Sequence, residues 1–384
     1  MFLEKEGKLI YSYDGETVCI EAWGKDALRV RATKNRSFTG RDWALEAKDA
    51  HAGEVEIFED PSAKGGAFAN MYEGTDTSYG KITNGKLHAV IDSGSVITFY
   101  HEDGRVLLKE HFRRLRDEES MPLNIMGREY SNGVGDNFRI VARFVARKGE
   151  KIFGMGQYQQ HELDLKGCML ELAQRNSQVS VPFYLSSIGY GFLWNNPGVG
   201  QVMFANNGTE WVTESGKEID YLVIAGDTPA EIEENYMTLT GKPPMMPEYG
   251  MGFWQCKLRY WNQEQLLSVA RKYKELGVPL DVIVVDFFHW TKQGEFKFDP
   301  KYWPDVPGMC RELKEMGIQV VVSVWPTVDI YSENFEEMKE KGYLVRTEHG
   351  VPLTMLCGGN EVFFDATNPD ARTCLLYTSD AADD

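Results

Sequence analysis

A β-sandwich followed by a parallel β/α sheet is the fold that this 384-residue sequence predicts. The chain is too long for one ordinary core, which points to two domains. Roughly its first 225 residues fall into short alternating or β-branched runs separated by turn signals. From Tyr249 onward the rhythm changes, and apolar runs alternate with helical periods.

The first region supplies the runs KLIYSY, TVCIEAWG, ALRVRAT, KLHAVID, SVITFYHEDGRVLLKE, NFRIVARFVAR, VSVPFYLSSIGYGFLWNN, QVMFANN and DYLVIAG. Asp103-Gly104 and Asn206-Asn207-Gly208 punctuate them, and many short strands at this spacing mean a sandwich. Gly154-x-Gly156 opens no helix, so it is no dinucleotide loop. The sandwich is expected over residues 1–226, and a helix plus linker over 227–248. In the helix DTPAEIEENYMTLTG, Asp227 or Thr228 is the candidate cap and Gly241 follows the end. The proline-rich KPPMMPEYG reads as the join between domains.

In the second region GMGFWQCK reads as a strand. Asn262 then caps the helix QEQLLSVARKYKEL, with Gln265 at the capping-box position and Gly277 beyond its end. DVIVVD and IQVVVSVW are apolar without alternation, as strands buried on both faces require. PGMCRELKEMG and SENFEEMKEKG read as helices. Strand and helix in alternation give a parallel sheet, either doubly wound or the start of a (β/α)8 barrel, and periodicity does not choose between them. A whole barrel needs about 250 residues, far more than follow Glu248, so length favours an incomplete one. FFDATNPDAR sets up a last helix, with Asn368 as cap, Pro369 at the first position and Asp370 next. The final TCLLYTSDAADD, residues 373–384, does not continue an amphipathic helix and reads as a non-native tail resembling adapter or vector sequence.

Hydrophobic residues make up 42% of the chain, which excludes a disordered composition, and a net charge of −17 argues against nucleic acid or an anionic membrane as partner. The six cysteines, at 19, 168, 256, 310, 357 and 374, have no C-x-x-C spacing and read as free thiols, with no metal site. His161, His289 and His349 form no ligand pattern. Charges occupy the N-terminus where a signal peptide needs an apolar run, and no apolar stretch is long enough to span a membrane, so a cytoplasmic protein is expected.

In parallel β/α sheets of barrel type, residues at the C-terminal strand ends face the active site. The first strand ends at Trp254 and Gln255, the second at Asp286 followed by Phe287, Phe288, His289 and Trp290, and the third at Trp325. A carboxylate accepts hydrogen bonds from sugar hydroxyls, while aromatic faces stack on the sugar's C–H face. For one strand alone, core packing is the simpler reading; three consecutive strand ends favour a sugar pocket.

GFWQCKLRYWNQEQLLSVARKYKELGVPLDVIVVDFFHW, FKFDPKYWPDVPGM, SVWP and FFDATNPDA occur in this order, preceded by LTGKPPMMPEYGMGF. GMGQYQQ and RNSQVSVPFYLSSIGYGFLWNN lie in the sandwich. Together these segments resemble the N-terminal half of glycoside hydrolase family 31, from Met1 to about Arg372. The resemblance implies an N-terminal β-sandwich and, over 249–372, the first part of a (β/α)8 TIM barrel, about three of eight strands. It implies a retaining exo-acting α-glycosidase, most like an α-xylosidase that releases α-linked xylose from oligosaccharides such as those of xyloglucan, with no cofactor. An α-glucosidase is the alternative, and a non-catalytic sugar-binding or assembly protein a third reading. Oligosaccharide is the partner implied, neither nucleic acid nor membrane is, and homo-oligomerisation of the longer protein stays open.

By the same resemblance Asp286 matches the acid that binds the sugar's 4-hydroxyl in subsite −1. Phe287 matches the next pocket residue. Phe288 stands where an α-glucosidase pattern Asp-Ile-Asp has its second Asp. Trp325 matches a wall that is Trp in α-xylosidases. Arg175-Asn176 matches an Arg-Asp pair on a sandwich loop, with Asn in place of the Asp. Trp254 and Trp290 complete the candidate binding set read from the strand ends. The family's nucleophile, in a pattern like Lys-x-Asp-x-x-Glu after the fourth strand, and its acid/base have no counterpart in this chain, so no catalytic residue is assigned. Asp299, Asp305, Asp329 and Asp365 lack that context, and the first two read as turn formers.

Overall fold

The structure is a computed structural model and describes residues 1–46, 49–59, 78–111, 113–115, 123–347, 349–354 and 360–380. The chain divides into two compact units, Met1–Pro243 and Pro244–Asp384.

The first unit is built on antiparallel sheets. The alternation in its sequence becomes alternation in burial. Leu87–Ile91 pairs with Ile97–His101, and Leu87, Ala89, Ile91, Ile97 and Phe99 all turn inward. One sheet runs Phe2–Lys5, Lys8–Tyr13, Glu16–Trp23, Ala27–Thr33, Ile219–Ala225, Tyr190–Trp194, Val179–Ser186 and Ile152–Gln157, with Ala50–His51 against Glu16–Trp23. Two five-stranded sheets, one containing Leu87–Ile91 and the other Phe138–Phe144 and Gly208–Gly216, share its core, where Ile20, Phe99, Phe144, Trp211 and Tyr221 meet. The expected sandwich is present as layered sheets, with a helix added to one outer face. In Ile219–Ala225 every residue is buried. Tyr221 and Val223 face the shared core, while Leu222 and Ile224 face Ile232 and Leu239 of the helix Pro229–Thr240. Burial on both faces explains why DYLVIAG is apolar without alternation. Thr228, rather than Asp227, caps the helix, its hydroxyl accepting from the Glu231 N–H at 3.2 Å.

Gly154 and Gly156 lie within the Ile152–Gln157 strand at φ +115° and +92°. A Cβ at Gly156 would sit 2.2 Å from the Val179 carbonyl oxygen, so the pair forms a strand irregularity that only glycine fits.

In the second unit Trp254–Gln255, Val282–Val285 and Gln319–Val322 form a parallel sheet in that order. The helices Gln263–Glu275 and Val306–Glu315 pack Leu266, Leu267, Ala270, Met309 and Leu313 against Ile283 and Val285. The predicted capping is present: Asn262 accepts from the Gln265 N–H at 2.9 Å, and the Gln265 side chain accepts from the Trp261 N–H at 2.8 Å. Thr327–Asp329 then pairs antiparallel with Glu361–Phe363 over a small core of Val328, Phe335, Met338 and Val362.

Three expectations change. The first strand is only Trp254–Gln255, because a 3-10 turn over Glu248–Met251 occupies the residues before it. The third strand is not buried: Val322 is 37% and Val324 47% exposed, since among the described residues Gln319–Val322 is the sheet edge. The last helix does not stop near Arg372 but runs Pro369–Asp380, because helical backbone continues through residues whose sequence lacks an amphipathic period. No described helix is long and apolar enough to cross a membrane.

Candidate active site

The second strand delivers a carboxylate to the C-terminal edge of the parallel sheet. Val282, Ile283 and Val285 are buried, and the chain leaves the sheet at Asp286, which is half-buried. Asp286 Oδ1 accepts from the Phe287 N–H at 2.8 Å, which fixes the side chain. Among the described residues Oδ2 faces only the Cys256 thiol, at 3.7 Å. Burial pushes that thiol up from its usual range, and the neighbouring Asp286 adds to the shift, so sulfur stays protonated. A thiol is a weak donor, which leaves Oδ2 acceptor capacity for a stronger one.

Aromatic rings continue from the carboxylate. Phe287 stacks on Trp325 with centroids 5.4 Å apart and an interplanar angle of 20°, so the ends of the second and third strands build one apolar wall. Phe288 touches Phe287 at 4.3 Å but turns outward, 55% exposed at φ +62°. A bulky residue in the left-handed region is held there by its surroundings. His289 is buried under this turn, with Nδ1 at 3.1 Å from the Asp286 carbonyl oxygen and its ring against Trp290 and Phe298, both 4.7 Å away. Burial holds its imidazole below the usual value, against the pull of Asp286, so the neutral ring is favoured. Trp290 and Trp325 line a cavity of about 300 Å3 together with Gln293 and Phe298.

Asp286, Phe287, Phe288 and Trp325 thus come together. Trp290 joins them as a buried support rather than an exposed face. Trp254 does not join. It pairs with Val282, at the opposite end of the sheet from Asp286, and its indole N–H donates to the Gly250 carbonyl at 3.2 Å. The first strand does end at Gln255, but its register puts Trp254 beside Val282, and Cys256, just past the strand, takes the position beside Asp286. Asn176 lies in the other unit, exposed at the tip of an Arg175–Gln178 turn, while Arg175 forks onto Glu171 at 2.9 and 2.6 Å.

The remaining acids serve local backbone. Asp299 accepts from the Lys301 N–H, Asp305 caps Val306–Glu315 through Gly308, Asp329 accepts from Tyr331, and Asp365 from Thr367, all within 2.7–2.9 Å. Among the described residues no cluster of His, Cys, Asp and Glu could hold a metal. Sequence reasoning missed Cys256, taken as an inert thiol, and Arg259, whose guanidinium lies 3.6 Å from the Trp261 ring and 5.1 Å from that of Phe288. Their nearness depends on how the loop after the first strand folds back, and local periodicity carries no sign of it.

Comparison with known proteins covers both units. Residues 17–202 match the glycosyl hydrolase 31 N-terminal galactose mutarotase-like domain, and residues 243–382 match the glycosyl hydrolases family 31 TIM-barrel domain. A protein of Pseudescherichia vulneris, named as an uncharacterized family 31 glucosidase, is 42% identical over 387 residues, covering 98% of this chain and 70% of its own length. Alpha-xylosidase A of Aspergillus niger is 30% identical over 379 residues, covering 94% of this chain and 49% of its own. The crystal structure of an α-xylosidase from a soil metagenome, complexed with xylose, superposes with a TM-score of 0.87 at 46% identity, covering all of this chain and 55% of that one. The chain therefore spans about half the length of these two α-xylosidases.

Proposed function

Because the chain belongs to glycoside hydrolase family 31, we propose that it is the N-terminal part of a longer retaining exo-α-glycosidase that removes α-linked xylose from oligosaccharides. The observation that carries this reading is the Phe287–Trp325 stack beside the open oxygen of Asp286. Asp286 accepts a hydrogen bond from the 4-hydroxyl. On this reading the stacked rings take the space in which the C5 hydroxymethyl group of glucose, absent from xylose, would need room and a polar partner. Retaining hydrolysis needs a nucleophilic carboxylate and a general acid/base about 5–5.5 Å apart. The family resemblance puts both in sequence patterns that this chain lacks, so both carboxylates are assigned to the rest of the longer enzyme.

The complete enzyme should hydrolyse p-nitrophenyl α-xyloside with retention, and this 384-residue chain alone should show no turnover. Turnover by the purified chain, lost on mutating one of its own aspartates, would mean that the active site is elsewhere.

Sugar preference gives a second test. An unpaired buried hydroxyl costs roughly 1–3 kcal/mol, so the complete enzyme should favour matched α-xylosides over α-glucosides by about 5- to 150-fold in kcat/KM. Trp325→Ile opens the wall and should narrow that ratio about tenfold. Phe288→Asp should narrow it less, because the Phe288 ring turns away from Trp325. An α-glucosidase is the second reading, favoured by the glucosidase name of the 42% identical relative; preference of the unmodified enzyme for the glucoside would replace the first reading with it.

A further inference from the structure

We infer that Arg259 is a specificity-determining residue for the group that leaves, selecting a sugar that carries a carboxylate next to the departing xylose. The inference rests on the exo-glycosidase reading above. The rings of Trp325, Phe287 and Phe288 form one continuous run beside Asp286, which adjoins its middle member, with centroids 5.4 and 4.3 Å apart. Arg259 ends that run, its guanidinium 5.1 Å from the Phe288 ring and 3.6 Å from the Trp261 ring. A sugar whose 4-hydroxyl is held at Asp286 carries its leaving group on C1, across the ring from that carboxylate, and we take the exposed Phe288 and Arg259 end of the run as the side the leaving group meets.

Among the described residues the charge of Arg259 meets only these two rings. Arg259 is half-buried, yet among the described residues it makes no hydrogen bond or ion pair, in a chain with 58 acidic residues. An arginine that served stability would be expected to face one of those carboxylates. The two rings near the guanidinium cannot accept conventional hydrogen bonds from it, so its N–H groups keep the capacity to receive a carboxylate with two parallel hydrogen bonds.

The backbone that carries each of the two rings is fixed, while the rings themselves are 60% and 55% exposed. Trp261 is held at the helix start, where its N–H donates to the Gln265 side chain at 2.8 Å. Phe288 is held at φ +62°, a strained conformation for a bulky residue and the one in which its ring reaches Arg259. A pre-formed cation needs no reorganisation when the ligand arrives.

The test uses the complete enzyme and two nearly isosteric substrates, 4-carboxyphenyl and 4-carbamoylphenyl α-xyloside. Unmodified enzyme should prefer the carboxylate by about tenfold in kcat/KM at low ionic strength. The preference should shrink in about 0.5 M NaCl, a measurement that needs no variant. Arg259→Met keeps the stem and should bring the ratio near one; Arg259→Lys, a point charge without the fork, should retain part of it. Turnover of both substrates with a ratio insensitive to salt and to Arg259→Met overturns this inference and leaves the exo-glycosidase reading standing. No turnover of either substrate by the unmodified enzyme overturns that reading, and this inference with it.

Discussion

Truncating Asp286 to alanine is expected to lower kcat/KM of the complete enzyme toward α-xylosides by about 10- to 150-fold, the range of a hydrogen bond to a charged group worth about 1.5–3 kcal/mol. The expectation follows from how the two oxygens are used. Oδ1 is engaged by the Phe287 N–H at 2.8 Å, while among the described residues Oδ2 has only a thiol at 3.7 Å and so keeps the acceptor capacity that the proposed sugar contact needs. Asp286→Asn keeps the shape and replaces one acceptor oxygen with a donor, so it should lose most of the same activity. Xylosides and glucosides both carry a 4-hydroxyl and should suffer alike, unlike the response to Trp325→Ile. Native-like melting with activity reduced less than threefold in both variants would remove Asp286 from the sugar site.

The second large effect lies in the other unit and concerns stability. Arg29 is 0% exposed and donates to Asp220 at 3.0 and 2.7 Å, to Asp42 at 2.8 Å and to the Arg41 carbonyl at 2.9 Å. Removing the cation leaves Asp220, also 0% exposed, with Asn195 as its side-chain donor at 2.8 Å. Breaking a buried pair costs about 3–5 kcal/mol, a large part of the roughly 5–15 kcal/mol that holds a domain together. Arg29→Met should therefore lower the urea midpoint of this unit sharply.

The penalty should also depend on pH. Burial pushes the Asp220 carboxyl from its ordinary 3.8 up to about 6, against the downward pull of Arg29 and Asn195. A carboxyl raised in the folded state contributes stability that is present below its unfolded value and lost as pH rises through the folded one. Without Arg29 the folded value rises further, so the variant should be penalised less at pH about 5, where Asp220 is neutral, than at about 8. An equal penalty at both would show that lost packing of Arg29 over the Trp23 ring, 4.6 Å away, dominates instead.

By itself the sequence determined the class of each unit and the order of its main elements. Alternation in KLHAVID and SVITFYHEDG was legible because one face of each strand is buried, and a period of two survives in the residues themselves. Asn262, Gln265 and Gly277 marked both ends of a helix because capping is chemistry between near neighbours. The family resemblance was legible for the same reason: its motifs are contiguous segments. Asp286, Phe287 and Trp325 could be picked out because parallel strands must end somewhere, and those ends lie on one side of the sheet.

Tertiary structure decided what local pattern cannot encode. Sheet register moved Trp254 away from Asp286 and brought Cys256 in, since register depends on pairing with Val282 and Ile283 rather than on the apolar run. The apolar run around Val322 reads as a buried strand, but burial belongs to neighbours, and here the strand is an edge. Of two adjacent phenylalanines, one packs on Trp325 and the other turns out at a positive φ to meet Arg259. That choice is made by side chains distant in sequence competing for the same space, and it separates the wall beside Asp286 from the outer cation.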